Sequence, residues 1–183
     1  MKKTILTFGL ISGVVMSILM AVNMSLADRI GHSYLVGYTT MILAFLLIYF
    51  GIRSYRDNIG NGHITFGKAF VIGISIALIS SLFYVVTWQI IYFKFMPDFM
   101  DKYGAAAIPK LQASGASAAA IQAKLAEIKH YKELEDNPLT NAAMTFLKPF
   151  PVGLIITLVS AAILRRKPNA TTQSIPSPAT VAN

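Results

Sequence analysis

Residues 4–27, 34–52 and 69–93 contain no Asp, Glu, Lys or Arg, and residues 140–164 contain only Lys148. Together these stretches are half of a 183-residue chain. A helix rises about 1.5 Å per residue, so about 20 apolar residues cross a hydrocarbon layer of about 30 Å. Each stretch is long enough. In lipid the backbone must satisfy its own hydrogen bonds, and a helix does this within one segment. The expected fold is therefore an all-α integral membrane protein with four transmembrane helices. A helical loop, about 94–139, joins the third and fourth. Residues 1–167 read as one membrane domain. Residues 168–183, rich in Pro, Ser and Thr, hold too little apolar surface to offset ordering entropy and read as a disordered cytoplasmic tail.

The charges orient the spans. The formal net charge is +8. Lys2, Lys3, Arg53, Arg56, Lys68, Arg165, Arg166 and Lys167 lie on one side of the alternating connections, against the single acid Asp57. The other connections are balanced: Asp28 sits with Arg29, and residues 94–148 hold seven basic and six acidic side chains. Basic residues gather on the cytoplasmic side of membrane proteins. The expectation is a multi-pass protein of the cell inner membrane, both termini cytoplasmic and the loop outside. The basic segments meet anionic lipid headgroups of the bilayer. Nucleic acid is not an expected partner, because no basic stripe forms on a foldable soluble unit. Lys2-Lys3, an apolar stretch and Ser25-Leu26-Ala27 also resemble a cleavable secretory signal. The apolar stretch exceeds the 7–15 residues or so of a signal core, so it is read as a retained span.

Small residues recur every fourth position: Gly9, Gly13, Ser17, Ala21 and Ser25 in the first span, and Ala69, Gly73, Ala77 and Ser81 in the third. Gly153, Thr157 and Ala161 continue the device in the fourth. Such stripes bring membrane helices close together, within one bundle or across a homo-oligomer or partner interface. Tyr34, Tyr38, Tyr49, Phe50, Trp88, Tyr92, Phe93 and Phe95 lie near span ends and suit interfacial aromatic belts.

In the loop, Met96, Phe99, Met100 and Tyr103 share one helical face, and Pro109 and Gly115 are read as breaks. Ser117 suits the N-cap of a second helix with an apolar stripe of Ile121, Leu125, Ile128 and Leu134. Lys124, Lys129, Lys132 and Glu133 are expected to solvate its remaining surface. Asp136 or Asn137 then caps the fourth span ahead of Pro138, and Pro149 and Pro151 are expected to kink it.

Several segments resemble the bacterial inner-membrane family called domain of unknown function 4199. They are Gly51-Ile-Arg-Ser-Tyr-Arg-Asp57, Phe66-Gly-Lys-Ala-Phe70, Tyr84 with Trp88, Pro97-Asp98-Phe99, Asn137-Pro138 and Pro151-Val-Gly-Leu154. The resemblance runs over about 1–167. It implies four membrane helices with an outer helical loop, and it carries no activity or site residue across.

The chemistry is sparse. With no cysteine, thiolate sites are excluded. His32, His63 and His130 form no ligand motif and no cofactor is indicated. Ser12, Ser17, Ser75, Ser80 and Ser81 lie in apolar spans without a base in sequence reach. Asp98 and Asp101 form a carboxylate pair on one helix face, with Lys102 beside them. Lys148 lies about 24 Å from the inner boundary of its span, about one turn below the outer surface. Snorkelling outward is the simpler reading for it. The sharper reading has Lys148, Gln89 and Asn23 line a shallow outward cavity. Three classes of function follow. In order of preference they are a non-enzymatic structural, accessory or interaction protein, a small oligomeric transporter or channel-like protein, and a membrane enzyme using Asp98 or Asp101. The absence of charge at mid-span disfavours ion-coupled transport.

Overall fold

The computed structural model describes residues 1–30 and 34–166, with the side chains of 26–30 and 34 left aside. The expected tail and His32 lie outside the described residues. Seven α-helices follow in order: α1 (Lys2–Ile30), α2 (Tyr34–Asn58), α3 (Phe66–Ile90), α4 (Phe99–Ala113), α5 (Ala118–Asp136), α6 (Pro138–Leu147) and α7 (Pro149–Leu164). A π-helical turn, Ile91–Phe95, extends α3. Four helical segments are long and apolar enough to cross a membrane: Lys2–Ser25, Leu35–Asn58, Phe66–Phe95 and Pro138–Leu164. The second runs past the expected 34–52 because Arg53, Arg56 and Asp57 continue the helix. Arg53 and Asp57 form an i, i+4 pair on that extra turn.

Around the bundle the order is α1, α2, α7, α3, and α2 and α3 also touch across the diagonal. Phe45, Ile48 and Ile52 of α2 meet Ile72 and Ile76 of α3 and Ala161 and Leu164 of α7. The outside is apolar too: Leu35, Leu43, Leu82, Val86, Ile155 and Ile163 are exposed. An exterior of that kind suits lipid rather than water.

What selects neighbours is therefore shape, and most positions of the small-residue stripes face other helices of the same chain, whereas Ala21 and Ser25 at the far end of the first stripe are exposed. A Cβ at Gly13 would stand 2.6 Å from the Phe83 ring of α3, and one at Gly73 2.7 Å from Thr157 Cγ2 of α7. Gly153 returns the contact, its Cβ position 3.0 Å from Ala77. Between α1 and α2, Ser12 Oγ donates to the Ala44 carbonyl at 3.1 Å. Ser75 and Ser80 donate back to their own helix, to Val71 and Ile76. Both patterns occupy serine hydroxyls without any nucleophilic role.

The ends of the bundle are tied differently. After α2, Asn61 and Gly62 both take positive φ (48° and 78°), and the His63 amide closes the turn on the Gly60 carbonyl. Ile64 and Arg166 then exchange both backbone hydrogen bonds, at 3.0 and 2.9 Å, which fastens the start of α3 to the end of α7. Thr65 caps α3 by accepting from the Lys68 amide. At the other end, Asn137 Oδ1 accepts from the Leu139 amide, with Pro138 in the first helical position of α6. The fourth span breaks at Lys148, because Pro149 has no amide to continue the ladder.

The loop departs from expectation in two places. Pro109 does not end its helix: α4 runs through it to Ala113, and Gly115 (φ 76°) makes the turn. Ser117 does cap α5, accepting from the Ala120 amide. The buried face of α5 is rotated, with Leu125 exposed, Lys124 and Lys132 half-buried and Glu135 buried. The cause lies on α4. Asp101 draws Lys132 across to 2.6 Å, and Ile128 packs beside Gly104 and Met100. The Asp101 carboxylate raises the Lys132 pKa. A raised lysine pKa means the tether is complete below the ordinary lysine value and is lost as pH climbs through the elevated one. Corrected amide exchange across α5 should thus stay constant from about pH 6 to 9, and Asp101→Asn should accelerate it at every pH in that range.

Candidate functional site

A cavity of ≈ 590 Å³ lies where α4 and α5 cover one end of the bundle. Its apolar wall is built from Met16, Leu19 and Met20 of α1 and Met41 of α2. Methionine adapts to ligands of irregular shape. Tyr84, Trp88, Phe99, Tyr103 and Tyr131 add rings from three further helices. The charged lining groups are Lys124, Glu127, Glu135 and Lys148.

The aromatic belt expected at the end of the third span is thus only partly a belt. Phe95 is exposed, whereas Trp88 and Tyr92 are buried with Met20 and Met100 in a second core between bundle and loop. The π turn turns Tyr92 inward, and its hydroxyl donates to Asp136 Oδ1 at 2.8 Å. Trp88 stands edge-on to Phe99 at 5.3 Å. The periodicity of α3 alone gave no sign of this, because the covering helices come from a distant part of the chain.

The polar centre of the site is Glu135, which no motif in the sequence singles out from the other charges of the loop. Glu135 is 7% exposed. Its Oε2 accepts from Asn141 Nδ2 at 2.6 Å and from Trp88 Nε1 at 3.4 Å. Lys148 Nζ stands 4.0 Å from its Oε1 and 5.5 Å above the Trp88 ring. Asn141 is fully buried and fully used: its amide also donates to the Glu135 carbonyl, and its oxygen accepts from Gln89 and Thr145. Thr140 donates to the Leu134 carbonyl across the same junction. The only available signal was the crowding of Glu135, Asp136, Asn137 and Asn141 around a helix junction.

The expected residues separate. Lys148 and Asn23 both line the cavity, with Asn23 Nδ2 donating to Thr40 Oγ1 at 3.1 Å. Gln89 instead points to the α5–α6 junction, donating to the Pro138 carbonyl at 2.8 Å and to Asn141. Asp98 and Asp101 are held by different lysines, Asp98 by Lys102 at 3.0 Å and Asp101 by Lys132. Both carboxylates are more than half exposed, and Lys102 holds Asp98 below the usual carboxylate range. His63 Nδ1 lies 2.9 Å from the Asn61 carbonyl, and His130 is exposed. Among the described residues no three His, Asp or Glu side chains gather as a metal site would require.

Four membrane-length helices closing over a lined cavity place the chain among multi-pass helical proteins of the membrane-spanning type. The chain belongs to the family described as Protein of unknown function (DUF4199), which it matches over residues 7–166. No curated protein and no solved structure matches it.

Proposed function

We propose that this is a non-enzymatic multi-pass protein of the inner membrane, with both termini cytoplasmic, that binds an amphipathic ligand beneath its outer helical loop. The observation that carries this is the cavity, with its methionine and aromatic wall and its charged edge. Small-molecule sites are mostly apolar, with a few polar groups that fix orientation, and volumes of about 300–1,000 Å³ are usual. Binding is favoured over ion-coupled transport because the charged groups of the spans stand at their ends or, for Lys148, beside the loop. The eight-to-one charge bias supports the orientation.

Trp88 is the only tryptophan in the chain and lines the cavity, so it reports occupancy directly. In lipid nanodiscs a neutral amphiphile, dibrominated octadecanol, should quench it saturably. Gly37 lines the cavity and its Cβ position meets nothing. Gly37→Phe should therefore fill the space, preserve folding and abolish the saturable component. Equal, linear quenching of both proteins would defeat the binding reading. The orientation is tested separately on the cysteine-free background. Single cysteines at Asn58, the exposed last residue of α2, and at Asn169 should label only from the cytoplasm, and one at Ser114 only from outside. Cytoplasmic labelling at Ser114 would invert the assignment.

A further inference from the structure

The charged groups of the cavity are not equivalent. Lys124 Nζ is 2.8 Å from Glu127 Oε1, within its own helix. Glu135 is hydrogen-bonded by two neutral donors, Trp88 and Asn141. Lys148 differs from both. Among the described residues its ion-pair partner is Glu135 Oε1 at 4.0 Å, beyond hydrogen-bonding distance, and its ammonium also stands over the face of Trp88. Glu135 therefore leaves the donors of the lysine unoccupied. Among the described residues no acceptor engages the three N–H groups of this half-exposed ammonium, so they can serve an acceptor in the cavity.

The size of the space limits that acceptor's body. At ≈ 590 Å³ the cavity falls within the range of about 300–1,000 Å³ usual for one small ligand, which suits a body with a single acyl chain. The wall formed by Met16, Leu19, Met20 and Met41 suits the chain.

We infer that the cavity takes a single-chain anionic amphiphile, its carboxylate or phosphate on Lys148 and its chain along the α1–α2 methionines. This deepens the binding reading above and rests on it. A fatty acid and a lysophospholipid share this chemistry, so both are tested. Glu135 is then a negative competitor beside the anion, which sets affinity by opposing it.

The experiment compares Trp88 quenching by dibrominated stearate and by dibrominated octadecanol in nanodiscs, at a pH that ionises the carboxylate. Unlabelled lysophosphatidate is added as a competitor. Stearate should bind at least about 10-fold more tightly than the alcohol, the gain of a charge-assisted hydrogen bond. Lys148→Gln should remove that advantage and leave the alcohol within about 2-fold. Lys148→Arg should keep most of it. Glu135→Gln, which retains an acceptor for Trp88 and Asn141, should tighten stearate by about 3-fold and leave the alcohol unchanged. Displacement by lysophosphatidate that Lys148→Gln weakens would assign the site to lysolipid of the bilayer. Failure of lysophosphatidate to displace stearate would assign it to fatty acid. If stearate and the alcohol bind equally and Lys148→Gln alters neither, the headgroup assignment is overturned while the cavity stands. If neither quenches saturably, the binding reading itself falls.

Discussion

Gly73→Leu should be among the most damaging substitutions in the bundle. Its Cβ would meet Thr157 Cγ2 at 2.7 Å, Ile52 Cδ1 at 3.0 Å and Ile48 Cγ2 at 3.2 Å. Those atoms belong to two other helices, and Ile48, Ile52 and Thr157 are themselves fully buried. None can move without displacing a further neighbour. Overpacking a core of this kind costs about 3 kcal/mol. That corresponds to a fall in melting temperature of about 6–12 °C for a chain of this length. Gly13→Leu should cost a similar amount, about 2–3 kcal/mol. Its Cβ would stand 2.6 Å from Phe83 Cγ and 2.9 Å from Phe83 Cβ, atoms close to the α3 backbone that turning the ring does not move away. Gly67→Leu meets nothing within 4 Å and should be neutral. Thermal unfolding of the three variants in one detergent gives the order directly. If Gly73→Leu and Gly13→Leu both retain native stability and oligomeric state, the stripes face lipid and the packing account is wrong.

Glu135→Ala should have the next largest effect, although a charged loop residue is an unlikely keystone by composition. Removing its carboxylate orphans two donors, the Trp88 indole N–H and one Asn141 amide N–H, and takes away the charge facing the Lys148 ammonium. Breaking a buried ion pair by deleting one partner costs about 3–5 kcal/mol. Lys148 is 46% exposed and can turn to water, so the expected loss is nearer 2 kcal/mol. Much of it comes from the orphaned donors, at about 1–3 kcal/mol each when buried. Glu135→Gln keeps an acceptor and should cost about 1 kcal/mol or less. The emission of Trp88 adds a local readout. It should shift red in the alanine variant as the loop loosens, and stay near native in the glutamine variant. Equal, native behaviour of both would show that the junction does not depend on this network.

The sequence by itself determined the four spans, because lipid permits only helices of sufficient apolar length and those stretches are visible residue by residue. It also determined the local cap at Ser117 and narrowed the next to Asp136 or Asn137, of which Asn137 is the one used, since a cap is satisfied within three residues of itself. The close-packing glycines were legible as stripes. Which helix each stripe meets was decided in three dimensions, by which neighbouring side chains fill the space, such as Phe83 for Gly13 and Thr157 for Gly73. The cavity was decided there altogether. Trp88 and Glu135 stand 47 positions apart, and Lys132 and Asp101 31 apart. Periodicity describes one helix at a time and carries no information about what covers it. A tryptophan at a span end reads as a lipid anchor and a glutamate in a charged loop reads as solvated. Only the packing of α5 across the bundle removes both from their expected surroundings, because burying the indole requires an acceptor and burying the carboxylate requires donors. Each supplies what the other lacks, and Lys148 joins them because Pro149 breaks the last span at that turn.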